Sequence, residues 1–155
     1  MPLGERITSV AELKAWTDKI PFRYEYTAGV AGEKFLRGLK KGKIISAHCA
    51  KCGKDYVPPK MYCVDDFVAT EITKEVKGAW TVAAVALSRV DFQGRPRQKP
   101  KLFVYVKQKG VVGGMIHHGM GDGLAVGSQV FPKFRPAAKR KGTMLDLEGF
   151  ARAKS

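Results

Sequence analysis

The stretch that decides the fold is Cys49-Ala-Lys-Cys52-Gly53, followed ten residues after Gly53 by Cys63-Val-Asp-Asp66. Two Cys separated by two residues, with Gly after the second, form a knuckle. The tight turn aims both sulfurs at one point and frees backbone N–H groups to support the thiolates. A second knuckle across a short hairpin completes a tetrahedral zinc site. Here the second knuckle holds one Cys, and Asp66 stands where its second Cys would be. Three thiolates and a carboxylate oxygen make an acceptable shell, because zinc takes S, N or O donors without a geometric preference of its own. Cys49, Cys52, Cys63 and Asp66 are therefore the expected ligands of a structural zinc, with Asp65 or His48 as substitutes if the turn differs. The competing reading is a ribbon that keeps its hairpin by packing and has lost its metal. A closed shell leaves no open position, so catalytic zinc is not expected.

Around this ribbon the chain is long enough, at 155 residues, for one compact domain or two small ones. The three Cys lie within fifteen residues, unlike a secreted disulfide framework, and point to a reducing cytoplasm. Residues 1–6 show no basic segment followed by an apolar run, so no signal peptide is expected. No stretch reaches the roughly 18 apolar residues that span a membrane. Lys and Arg number 28 against 14 acidic residues, a formal net charge of +14. That excess favours a polyanionic partner: nucleic acid, a cofactor with several phosphates, or an acidic protein. A solvated basic surface accounts for the charge equally well.

Upstream of the ribbon, Ser9-Val-Ala-Glu12 has the form of a capping box opening a helix that Pro21 stops. A second helix is expected over residues 29–41, with Phe35, Leu36 and Leu39 on one side and Gly42 ending it. Residues 1–43 are thus a helical leader, 44–69 the ribbon and 70–155 a β domain. Inside the ribbon, Tyr56-Val-Pro-Pro-Lys60 reads as a loop or edge, since two prolines remove two donors. Beyond it, strands are expected over residues 80–90, 101–106, 115–116, 129–134 and 144–150, with 91–100 a loop. Five short strands with glycine-rich connections suit a small closed barrel of the oligonucleotide/oligosaccharide-binding (OB) type. The fold class is mainly β, with an α-helical leader. On the 101–106 strand, Leu102 and Val104 share one face while Phe103 and Tyr105 share the other; the pattern does not say which is core.

The order of parts, helix ending in Phe35-Leu36-Arg-Gly-Leu39-Lys-Lys-Gly-Lys43, then Cys49-x-x-Cys52-Gly53, Tyr56-Val-Pro-Pro-Lys60 and Cys63, then a barrel with Val126-Gly127-Ser-Gln-Val130 and Leu145-Asp-Leu-Glu-Gly-Phe150, resembles a known two-domain family. That family joins a rubredoxin-like zinc ribbon to an OB fold, was long filed as a domain of unknown function, and is associated with acyl-CoA. The resemblance covers residues 30–150. It implies a non-catalytic partner of thiolase-type enzymes. In archaeal members such a protein bridges acetoacetyl-CoA thiolase and hydroxymethylglutaryl-CoA synthase and helps form a shared CoA site. The family places Cys where this chain has Asp66, so metal binding carries over on Cys49, Cys52 and Cys63 only.

Other chemistry-bearing residues weigh less. The three Cys lack a base and oxyanion donor that would make one a nucleophile. His117-His118, adjacent on a strand, point to opposite faces and do not form a pair; one buried and one exposed His is expected. Residues 110–127 are glycine-rich but lack a phosphate-loop ending. Two basic clusters remain, residues 89–109 and 133–141. Lys60, Arg95, Arg97 and Lys99, cations in loops beside Pro or Gly, are the candidates for CoA phosphate contacts. Phosphates of single-stranded nucleic acid would suit them too, with Phe92, Phe103 and Tyr105 as stacking platforms. Two functions stand: an accessory protein that docks on thiolase-type enzymes and contributes to a CoA site, or a single-stranded nucleic-acid module.

Overall fold

The computed structural model describes residues 25–91 and 93–153. The Ser9–Glu12 helix and Phe92 lie outside them. Helix α1 (Gly29–Lys40) forms as expected. Thr27 Oγ1 accepts from the Gly29 N–H at 3.3 Å, and Glu33 pairs with Arg37 one turn on. Gly42, at φ +74°, turns the chain out of the helix. The apolar side of α1 sends Phe35 and Leu39 into the core.

Two sheets follow. The first has strand order β3-β1-β2-β6, from β1 (Ile45–His48), β2 (Asp55–Val57), β3 (Glu71–Glu75) and β6 (Val111–Gly113). The second is a closed five-stranded barrel, β4-β5-β7-β9-β8, from β4 (Trp80–Val90), β5 (Pro96–Lys107), β7 (Met115–Met120), β8 (Gln129–Phe134) and β9 (Leu147–Ala151). Counted from β4, the barrel order is 1-2-3-5-4. Its five strands are those the sequence announces, and β4 and β8 match to the residue.

Three expectations are corrected. Tyr56 and Val57 are neither loop nor edge: β2 is an inner strand, antiparallel to β1 and parallel to β6. The prolines begin only after Val57. β6 arrives from the far side of β5, a pairing no local pattern announces. Second, residues 96–100 are strand, so Arg97 and Lys99 lie on β5 and not in a loop. Pro100 is tolerated there because β5 pairs with β7 only over residues 103–106, which leaves its earlier outer edge without a ladder to break. Third, residues 144–146 form a 3₁₀ turn, capped by Thr143 and Asp146, before β9 begins. Strands β3 and β6 have no counterpart among the expected elements; both lie beyond residue 69 and pair with ribbon strands.

Two apolar clusters hold the molecule. The larger joins Phe35 and Leu39 of α1, Ile44 and Val57 to the barrel interior, where Trp80, Val82, Val104, Val106, Val130 and Phe150 are buried. The Trp80 and Phe150 rings pack tilted, 5.7 Å apart. The smaller, of Ala47, Cys49, Tyr56, Cys63 and Ile72, lies within the ribbon. The even-numbered residues Val104 and Val106 are core, which puts Phe103 and Tyr105 on the outer surface of the barrel.

Candidate metal centre and basic surfaces

The two knuckles are copies of one another. Gly53 N–H donates to the Cys49 carbonyl at 2.8 Å, and Phe67 N–H to the Cys63 carbonyl at 3.1 Å. Cys49 N–H donates to Lys54 O and Cys63 N–H to Val68 O, both at 2.9 Å. Gly53 has φ +73° and Phe67, in the matching place, φ +57°. Phe67 holds a left-handed conformation that glycine would adopt without cost. By this correspondence Asp66 occupies the position of Cys52.

The ligand atoms converge. Those of Cys49, Cys52, Cys63 and Asp66 lie within 4.8 Å of one another. Cys52 Sγ and Cys63 Sγ are 3.6 Å apart. Asp66 Oδ2 is 3.5 Å from both Cys49 Sγ and Cys63 Sγ. A tetrahedral ion with Zn–S of about 2.3 Å and Zn–O of about 2.0 Å requires S···S of about 3.8 Å and S···O of about 3.5 Å. The donor set fits that shell. Lys51 Nζ takes the other carboxylate oxygen, Oδ1, at 3.4 Å, so Oδ2 is the one left facing the sulfurs. The two substitutes are engaged elsewhere: Asp65 with Lys54 at 2.7 Å, and His48 with Asp55 at 2.8 Å.

Proximity shifts these groups in opposite directions. The Lys54 backbone N–H favours the Cys52 thiolate, but the Asp66 carboxylate, desolvation and the neighbouring sulfurs oppose it and push its pKa up to about 12. The Cys63 thiol goes the other way, chiefly because the Tyr56 hydroxyl donates to it at 3.2 Å. The Asp66 carboxyl is held low, first by the Cys52 thiol. Cys52 is thus the donor that holds its proton until a cation takes its place. Tyr56, whose hydroxyl oxygen also lies 3.3 Å from Asp65 Oδ2, is a neighbour of the sulfurs that the sequence reading missed. Its place between the knuckles was the available signal.

The four phosphate candidates fall on different elements. Lys60 lies beside the ribbon, its Nζ 5.5 Å from the centre of the Tyr56 ring. Arg95, Arg97 and Lys99 belong to the β4–β5 hairpin. Arg95 Nε pairs with Asp91 at 2.8 Å, and Arg97 Nε donates to the Val90 carbonyl at 2.8 Å. Lys99 is exposed. A further surface is a cleft of about 690 Å³ along α1, lined by Arg37, Lys40, Lys41 and Lys141 and by Glu33, which pairs with Arg37. Lys141 and Gly142 of its lining belong to the turn over residues 141–143, whose backbone N–H groups donate to the buried Asp146 carboxylate.

The two adjacent histidines do lie on opposite faces, His117 opposite the core residue Val104 and His118 opposite Phe103. Both are half-buried, however, so the expected division into one buried and one exposed does not hold. Burial, then the neighbouring His118, lowers the His117 pKa.

These features define a cysteine ribbon joined to an OB-type barrel. No family model and no curated protein matches the chain. Among solved structures it is similar to a DUF35-family protein of unknown function from Sulfolobus solfataricus. Sequence identity is 34%, 70% of this chain and 81% of that one are covered, and the TM-score is 0.61. The chain belongs to the DUF35 family. It also shares its fold with the Ltp2–ChsH2(DUF35) aldolase, at 15% identity and a TM-score of 0.58, over 76% of this chain and 91% of that one.

Proposed function

We propose that this protein is a non-catalytic accessory subunit that docks on a thiolase-type acyl-CoA enzyme and contributes to a shared CoA site. One observation carries the docking: a chain of the same fold, ChsH2, is named together with Ltp2 in an aldolase. Thiolase and hydroxymethylglutaryl-CoA synthase-like enzymes are the partner class that the family resemblance supplies. Cys49, Cys52, Cys63 and Asp66 hold one structural zinc, which clasps the ribbon and leaves no position for substrate. Its three free thiols suit a reducing cytoplasm. Among the described residues no helix is long and apolar enough to cross a membrane. Lys60, Arg95, Arg97 and Lys99 supply cations for the CoA phosphates.

Affinity purification at moderate salt, with nuclease treatment, tests the docking. A thiolase-like enzyme in the eluate is the expected result. Nuclease-sensitive material with no enzyme would overturn it in favour of a nucleic-acid module. In the assembled complex, replacing Arg95, Arg97 and Lys99 together with Gln should weaken CoA binding and flatten its salt dependence. An unchanged affinity and slope would remove the three from the site.

A further inference from the structure

The two knuckles share a backbone and differ in surface. Place for place, Cys49 corresponds to Cys63, Ala50 to Val64, Gly53 to Phe67 and Lys54 to Val68, and the same hydrogen bonds close each turn. An alanine, a glycine and a lysine therefore meet all that this backbone requires at the last three places. The second knuckle puts a larger apolar side chain at each of the three. With Met61 and Tyr62, which lead into it, five large apolar side chains are exposed within residues 61–68. Phe67 is the extreme, 82% exposed where the turn ends.

Phe67 is also the one non-glycine residue at positive φ among the described residues, at +57°. A bulky side chain is a rare occupant of that region, and glycine, as at Gly53, would hold it without strain. The ring, standing in solvent, repays nothing by burial within the chain. Strain of this kind clusters where function depends on the side chain. The charges of the turns meanwhile cancel: Lys54 Nζ pairs with Asp65 at 2.7 Å and Lys51 Nζ with Asp66 at 3.4 Å. The apolar side chains thus stand on a neutral tip of a chain whose net charge is +14. A polyanion finds both lysines of the first knuckle engaged. A lipid surface would have to admit two carboxylates along with the apolar groups. A second copy brings another projecting tip and another +14, and complements neither. What fits is an apolar pocket on a different protein, filled by one aromatic anchor.

We propose that the second knuckle is the surface by which this protein docks on its acyl-CoA enzyme, with Phe67 seated in an apolar pocket of that enzyme and Val64 and Val68 beside it. The assignment rests on the accessory role proposed above and adds where on the chain the contact lies. The metal clasp then has a task beyond holding the ribbon together, since it fixes the turn from which the ring projects.

The test uses the full chain, loaded with zinc, and the enzyme recovered with it by affinity purification. Phe67→Gly should lower recovery of that enzyme about tenfold or more. The same variant should keep its zinc and keep or raise the melting temperature, because glycine takes positive φ freely. Val64→Ala, which copies the first knuckle, should lower recovery less and leave the melting temperature unchanged. Phe67→p-benzoylphenylalanine, irradiated in cells, should form a cross-link whose peptide, identified by mass spectrometry, belongs to the same enzyme. Recovery by Phe67→Gly equal to that of the wild type overturns the assignment and leaves the accessory role standing, and a lowered melting temperature with unchanged recovery would make the ring structural. A cross-link only to another copy of this chain also overturns it. So does Phe67-dependent sedimentation with vesicles of phosphatidylcholine and phosphatidylserine, which would give the tip to a lipid surface. If the wild type recovers no acyl-CoA enzyme, the accessory role itself fails, and this occupant of the knuckle fails with it.

Discussion

Substituting Gly113 by Ala should damage the joint between ribbon and barrel far more than its size suggests. Two costs add. Gly113 has φ +95°, where a non-glycine residue loses about 1–2 kcal/mol. A Cβ there would also sit 2.3 Å from the Val57 carbonyl oxygen, which accepts a hydrogen bond from Gly114 N–H at 2.9 Å. Backbone cannot yield as a flexible side chain does, so β6 must retreat from β2. That forfeits the bond and leaves a buried carbonyl unsatisfied, for about 1–3 kcal/mol more. Gly110 is the control. It has φ +80°, and a Cβ on it would meet nothing within 4 Å, so Gly110→Ala incurs only the first cost. Urea unfolding of the wild type and both variants, with zinc held constant, measures the two terms separately. The expected gap between the variants is about 1–3 kcal/mol, or roughly 2–12 °C in melting temperature for a domain of this size. Equal destabilisation would refute the close β2–β6 approach as the reason for glycine at this position.

Further outcomes concern the metal and acid stability. Metal analysis of protein purified without added chelator should find one zinc per chain; less than about a tenth of an equivalent after reconstitution would exclude the site. Cys52→Ala should lose the metal, and Asp66→Ala should bind it more weakly yet retain it, because water can replace a carboxylate oxygen. Tyr56→Phe removes the hydroxyl from Cys63 and should weaken zinc about tenfold in a chelator competition. For Asp146, burial raises the pKa but the backbone N–H groups of residues 141–143 outweigh it, and the folded value lies below the unfolded one. Its contribution is therefore complete above the unfolded carboxylate pKa and is lost as pH falls through the depressed folded value. Asp146→Asn should flatten that acid limb of a stability–pH curve, and an unaltered acid limb would contradict the assignment.

What the sequence made legible was whatever is encoded locally. The Cys49–Gly53 knuckle depends on five consecutive residues, and the strand at Trp80–Val90 on a run of branched and small residues bounded by turn signals. Asp66 was legible as the fourth member of the donor cluster because it repeats the spacing of Cys52 from Cys49. The rest is set by partners far along the chain. Val111–Gly113 is too short and too glycine-rich to announce a strand, and it becomes one only against β2. Pro96 and Pro100 spoke for a loop, and only the absence of a β7 neighbour beside them allows strand. The core side of β5 was undecidable because Leu102, Val104, Phe103 and Tyr105 are all suited to burial. Barrel closure chose the smaller side chains for the interior.

Strand β2 has a consequence for cooperativity. Its alternating side chains serve two interiors: Tyr56 points into the ribbon cluster beside Cys63, and Val57 into the larger cluster with Trp80 and Phe150. A rigid rod of three residues thus ends in both. Whatever loosens the sulfurs is transmitted to Tyr56, and from there along the backbone to the barrel interior. Ribbon and barrel are therefore expected to melt in a single transition. Removing the ion would register not as a frayed appendage but as a softening of the environment of Trp80, some distance from any metal ligand.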